Sequence, residues 1–179
     1  CLVYSKSRVT PIKMMTDNKK KSETIVRLEL LASLITARSV SYVLDAFKDT
    51  EIKITSTFCF TDSAITLARV KNGHQHYRQW VGNRVQEINT LTSKDDWYFC
   101  PGTLNPADIP SRAITAPVFC GGFIAQQWWE GPQFVREAKA KFPDQPPPKS
   151  IKDPEENPIY QLPRTLPHKP DEKLAEKLE

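Results

Sequence analysis

The chain has 179 residues, 25 of them basic and 21 acidic for a formal net charge of +4, with 39% hydrophobic residues and 15 prolines. That is material for one domain, or one domain and a tail. No run approaches the roughly 20 consecutive apolar residues of a bilayer span, and the opening Cys1-Leu2-Val3-Tyr4-Ser5-Lys6 lacks the basic lead and apolar stretch of a secretory signal, so the sequence predicts neither a membrane-crossing helix nor a leader.

In chain order, residues 1–9 alternate weakly and stop at Thr10-Pro11, which predicts a strand ended by proline. A polar loop around Thr16 to Ser22 leads into a long helix, expected from Thr24 to about Lys48. There Leu28, Leu31, Ile35 and Leu30, Leu34, Ala37 form two adjoining apolar stripes. Ser22 or Thr24 is a candidate cap for its start. Ile52 to Thr61 has a period of two in Ile52, Ile54, Phe58 and Phe60 and predicts a second strand. After Thr61-Asp62-Ser63 a helix runs from Ala64 to Val70 and ends at Asn72-Gly73. Trp80, Val81, Val85 and Ile88 predict another helix over 77–89. Trp97 to Cys100 reads as a short strand closed by Pro101-Gly102, and Asn105-Pro106 as a cap followed by proline at the first helical position. Strands alternating with helices point to an α/β fold.

Composition shifts near Phe142. Residues 143–179 hold 9 of the 15 prolines and a net charge of −2, leaving +6 on residues 1–142. The expected organisation is a domain over 1–142 and a Pro-rich charged linker, largely disordered, over 143–179. A charge of +6 permits phosphate-backbone binding without requiring it. Lys19-Lys20-Lys21 reads equally as an exposed loop. Cys1, Cys59, Cys100 and Cys120 contain no C-x-x-C pair, which argues against a zinc knuckle or disulfide scaffold and for a reducing, cytoplasmic setting. With no initiator Met, the chain reads as a piece of a longer one.

Three acids sit at element ends: Glu29 early on the long helix, Asp62 closing a strand, and Asp108 opening a helix. Each has a plain alternative. Glu29 fits a solvated helix face, Asp62 an N-cap, and Asp108 a first-turn acid that complements the helix dipole. Together they suit magnesium, which prefers hard oxygen ligands, though a two-ion site wants one more acid.

The ordered motifs Ser5-Lys6-Ser7-Arg8-Val9-Thr10-Pro11, Arg27-Leu28-Glu29-Leu30, Thr61-Asp62-Ser63, Asn83-Arg84-Val85 with Glu87-Ile88, Pro101-Gly102-x-x-Asn105-Pro106-Ala107-Asp108-x-x-Ser111-Arg112 and Trp128-Trp129-x-Gly131-Pro132 resemble the ribonuclease H-like region of BEL/Pao-type retrotransposon polyproteins. The resemblance covers roughly residues 3–135, and the Asn-Pro-Ala-Asp-x-x-Ser-Arg block is its most specific part. It implies a ribonuclease H-like mixed sheet flanked by helices, with strand order 3-2-1-4-5. Here residues 1–9 match the third strand, and the first two strands lie outside the chain.

The resemblance also implies hydrolysis of the RNA strand of an RNA–DNA hybrid with two Mg2+ ions. Glu29, Asp62 and Asp108 match three of the family's catalytic and metal-binding acids, and the first acid is missing with its strand. Expected nucleic-acid contacts are Ser63, Arg84, Asn105 and Arg112, although helix-surface salt bridges would use the arginines equally well. Implied partners are the hybrid and the reverse transcriptase and integrase regions of the same polyprotein, with no membrane. The loop before Asp108 lacks the histidine of many relatives, and His74 and His76 read as surface residues. The alternatives are a non-catalytic ribonuclease H-like connector and an aspartic peptidase. The peptidase is disfavoured because Asp62-Ser63 is followed by Ala64 rather than glycine. Trp128 and Trp129 read as closing the domain against Phe123 and Phe134, or as a stacking platform for bases.

Overall fold

The computed structural model describes residues 3–10, 21–109, 122–137, 141–146 and 153–157. Helix α1, Lys21–Phe47, contains no glycine or proline and carries the leucine-rich stripes. It begins before Ser22 and Thr24, which therefore lie in its first turn rather than capping it. Strand β1 (Cys59–Thr61) is followed by α2 (Ala64–Asn72) and α3 (Gln79–Leu91), then by strand β2 (Trp97–Phe99). The two strands are parallel, in the register Cys59↔Trp97, Phe60↔Tyr98 and Thr61↔Phe99. Helices α2 and α3 form the long crossover that a parallel pair needs. Helix α4 (Gly122–Glu130) follows. This mixture of helices around a small parallel sheet is an α/β arrangement.

The two faces of the sheet have different covers. Cys59, Thr61 and Trp97 are buried towards the helices, in a core with Leu30, Leu34 and Ala37 of α1, Leu67 and Val70 of α2, and Val81, Val85 and Ile88 of α3. Burying each leucine of the α1 stripe contributes roughly 2–3 kcal/mol. Trp97 is fully buried, and its indole N–H donates to Thr92 Oγ1 at 2.9 Å, as a buried indole requires. On the other face Phe60 and Tyr98 pack edge-on and tilted against Phe134 and Phe142, with ring centroids 5.0–5.9 Å apart. The outer edge of β2 is occupied by a side chain. Phe99 N–H donates to Gln145 Oε1 at 2.6 Å, and Gln145 Nε2 donates to Phe99 O at 3.3 Å.

Several expectations need correction. Ile52–Thr61 is a strand only at its last three residues, and Ile52 and Ile54 are exposed. A strand exists only as part of a ladder. Here the partner β2 is held to three residues between the Lys94–Asp96 turn and Pro101, so residues 52–58 pair with no strand among the described residues. Residues 3–10 likewise form no ladder among the described residues, and Val9 is 92% exposed. A cleft of about 1070 Å³ separates these two extended segments, floored by the second α1 stripe, Leu28, Leu31 and Ile35.

The expectation of no membrane-length helix also fails on composition. Ile25–Phe47 is long and apolar enough to cross a bilayer by length and composition alone. Its serines and threonines lower the hydropathy less than charges would, and in this fold its Leu30–Leu34–Ala37 stripe is spent on the core.

The linker expectation fails at residues 153–157. Asp153 and Glu155 are 7% and 5% exposed, because each acid finds an arginine. Trp129 is 55% exposed and does not close the domain, while Phe134 joins the aromatic face of the sheet. The side chains of Phe123 and Lys21, residues Lys19 and Lys20, and residues 158–179 lie outside what the structure describes.

Candidate active site

The carboxyl end of β1 organises the candidate site. Parallel strands point their carboxyl ends to one side, where the following loops bring side chains together. Thr61 ends the strand with its carbonyl accepting from Cys100 N–H at 2.9 Å, which carries the ladder one step past β2. Asp62 follows and is exposed. Ser63 caps α2, its Oγ accepting from Thr66 N–H at 3.2 Å. The N-cap role open to Asp62 thus belongs to its neighbour, and the Asp62 carboxylate is not used in capping.

Ser63 does a second job. Its hydroxyl donates to Glu29 Oε2 at 2.5 Å, which ties α1 to the end of β1 across 34 residues of sequence. Glu29 is therefore half-buried and hydrogen-bonded rather than a solvated face residue. Ser63 itself is 6% exposed, with its hydroxyl engaged on both sides. It holds Glu29 against the start of α2, where the sequence predicts a nucleic-acid contact.

Asp108 reaches the same region from the other strand. After β2 the chain makes two single-turn helices, Gly102–Leu104 and Pro106–Asp108. Asn105 caps the second, its Oδ1 accepting from Ala107 N–H at 3.1 Å, with Pro106 at the first position as the sequence predicts. The Asn105 side-chain oxygen is therefore occupied locally. A Cβ placed on Gly102 would lie 3.6 Å from Asp62 Oδ2 and 3.7 Å from Asp108 Oδ2. The two carboxylate oxygens are thus at most 7.3 Å apart, the sum of those distances, and each lies at ordinary contact distance from that position. Residues 46 positions apart in sequence meet across one glycine.

Glu29 does not complete a cluster with them. Among the described residues no three His, Cys, Asp or Glu side chains lie close enough to hold a metal ion. The aspartate pair fits a hard cation by donor chemistry, while the Glu29 oxygen nearest the strand end is taken by Ser63.

Arg84, an expected phosphate contact, lies over the Trp80 ring at 3.7 Å and donates from Nη1 to Trp80 O at 2.7 Å. Burial holds its guanidinium below the usual arginine range. Its buried Nε has no hydrogen-bond partner among the described residues, and the side chain lines the cleft beside α1. Arg112 lies outside the described residues. Burial pushes the thiol of Cys59 up to about 12 and that of Cys100 up to about 11, so neither is a nucleophile at neutral pH.

Sequence reasoning missed Gly102 and the second role of Ser63. The first had a signal in Pro101-Gly102 ahead of Asp108, read as a strand stop and as the opening of the family motif but not as part of the site. The second had none, since a hydroxyl's partner across 34 residues is a tertiary fact.

Residues 1–63 match the family model of the Pao retrotransposon-like RNaseH-like domain. This is the resemblance carried by the sequence motifs, and the matched part includes Glu29 and Asp62 and stops before Asp108. No curated protein and no solved structure matches the chain.

Proposed function

We propose that the chain is part of a retrotransposon ribonuclease H whose complete form hydrolyses the RNA strand of an RNA–DNA hybrid, with Asp62 and Asp108 as metal-binding acids. The observation that carries this reading is the meeting of the two carboxylates across Gly102 at the carboxyl end of β1. Bound magnesium would supply Lewis-acid stabilisation of charge on the scissile phosphate. The chain's own residues prepare for it. Asn105 fixes the turn that presents Asp108, Gly102 lies beside both aspartates, and Ser63 holds Glu29 at the next position along the chain from Asp62. Glu29 is the third acid of the proposal and has to leave Ser63 to act as a ligand.

A two-ion site needs a further acid, which by the resemblance comes from a strand outside these residues, so the 179-residue chain alone is expected to be inactive. The test is hybrid cleavage in magnesium by the chain alone and by the chain extended with the upstream residues of its polyprotein. Cleavage by the extended form that Asp62→Asn or Asp108→Asn reduces at least roughly 100-fold, the scale of losing transition-state charge stabilisation, supports the assignment. A folded extended form that is inert, or an Asp62→Asn form that cleaves normally, overturns it. The second reading, a non-catalytic connector binding nucleic acid or adjacent polyprotein domains, is favoured by the engagement of Glu29 with Ser63. It predicts salt-sensitive hybrid binding unchanged by Asp62→Asn.

A further inference from the structure

Away from the acids, the molecule holds a short stretch of its own chain in a site built from α1, α2 and the 74–78 segment. Asp153 and Arg69 form a two-pronged pair, with Arg69 Nε to Asp153 Oδ2 at 2.6 Å and Arg69 Nη2 to Asp153 Oδ1 at 2.7 Å. Arg69 is fully buried and Asp153 nearly so. Arg27 of α1 pairs with Glu155, its Nε donating to Oε1 at 2.7 Å. The backbone is read as well. Arg78 N–H donates to Glu155 O at 2.9 Å, Asn157 N–H donates to His76 O at 2.8 Å, and Tyr77 and Glu156 form an antiparallel bridge. Asn157 Nδ2 then donates to Gln75 O at 3.2 Å and Tyr77 O at 3.1 Å.

The bound segment holds its own shape. Asp153 Oδ1 accepts from Glu155 N–H at 2.9 Å, Asp153 O accepts from Glu156 N–H at 3.1 Å, and Pro154 sits at the turn position that its fixed φ favours. Side-chain anchors at alternate residues plus main-chain pairing along one edge is the way extended peptides are recognised in strand addition. A buried arginine without its carboxylate is strongly unfavourable, so the site is built around an acid at the first anchor. Its planar fork also specifies a carboxylate rather than any negative charge.

We propose that this is a recognition site for an acidic linear segment of the pattern Asp-Pro-Glu-Glu-Asn, occupied by residues 153–157. It holds them through these contacts and not through their covalent connection to the domain. The segment clamps the start of α1, the middle of α2 and the 74–78 segment, joining elements from distant parts of the chain. A chain cut between 146 and 153 therefore keeps its C-terminal piece. The net charge of −2 on residues 143–179 against +6 on residues 1–142 favours that retention.

The test places a site-specific protease sequence within residues 147–152 of the full chain and cuts it after folding. The expected result is co-elution of the C-terminal piece with the body in gel filtration, and its displacement by an excess of synthetic peptide spanning residues 150–160. Asp153→Asn is expected to speed release of the piece roughly 100-fold or more, the scale of breaking a buried ion pair. Glu155→Gln faces the half-exposed Arg27 and should speed it less, while leaving the body folded by circular dichroism. Departure of the wild-type piece on cutting, whether or not the body stays folded, overturns the proposal. So does release from both variants at the wild-type rate.

Discussion

Ser63 links two functions through one hydroxyl. It accepts from Thr66 N–H as the cap of α2 and donates to Glu29. Ser63→Ala removes both bonds. Loss of a cap costs about 1 kcal/mol, and a charge-assisted hydrogen bond contributes about 1.5–3 kcal/mol. The expected outcome is a loss of about 2–4 kcal/mol in urea unfolding, with Ser63→Thr retaining most of it. If Ser63→Ala is as stable as the parent, the link between α1 and the strand end is not formed. The spacing Thr61-Asp62-Ser63 in sequence shows a strand-to-helix junction, but not which of the two polar residues caps the helix. That choice depends on which side chain faces Glu29, and only the packing of α1 decides it.

At the scale of elements, α3 is positioned by a glycine. A Cβ on Gly82 would meet His74 O at 3.0 Å and Tyr77 O at 3.4 Å, because the 74–77 segment crosses close over the helix. Both contacts are backbone and cannot swing aside. Gly→Ala inside an exposed helix ordinarily stabilises by about 1 kcal/mol. Here the crowding opposes it, and overpacking costs about 1–3 kcal/mol. Gly82→Ala is expected to lower stability in chemical denaturation, and to loosen residues 153–157, which pair with the same segment, as seen by faster amide exchange at Asn157. A stabilised Gly82→Ala protein would show that the crossing is not this close. Helices α2 and α3 and strand β2 are readable from periodicity within about two residues, since their apolar faces are local patterns. The strand 52–61 is not, because β pairing requires a partner whose length the alternation of one segment does not report.

At the scale of the whole molecule, buried acidic protons at Cys59, Tyr77 and Cys100 make stability depend on alkaline pH. Burial, with smaller contributions from Asp153 and Glu156, pushes the Tyr77 hydroxyl up to about 12, outweighing the opposing hydrogen bond from Asn72 Nδ2. Cys59 rises to about 12 and Cys100 to about 11, each from an ordinary 9.0. These groups release their protons more readily unfolded than folded, so their contribution is complete below about pH 9 and falls as pH rises towards 12. The urea midpoint is expected to decline steadily over that range, and Tyr77→Phe to flatten the part above pH 10. A midpoint unchanged from pH 8 to 11 would contradict the burial of these groups. The same tyrosine lies where the 153–157 segment docks, so alkaline loss of the core and of the docked segment should coincide.

The sequence by itself determined the α/β alternation, the core stripe Leu30–Leu34–Ala37, the cap at Asn105 and the places of Asp62 and Asp108 at element ends, whereas Glu29 lies more than two turns inside α1. Each of these is written in spacing within a few residues, where backbone geometry dictates which side chains share a face. The motif order also carried the Pao-type resemblance that residues 1–63 bear out. Tertiary structure alone decided that Asp62 and Asp108 both lie beside Gly102, that Glu29 is held by Ser63, and that an acidic stretch in a proline-rich tail is buried. The physical reason is the same in each case. A carboxylate's partner is chosen by distance and desolvation after the chain has folded, and composition records the charge but not what will lie beside it.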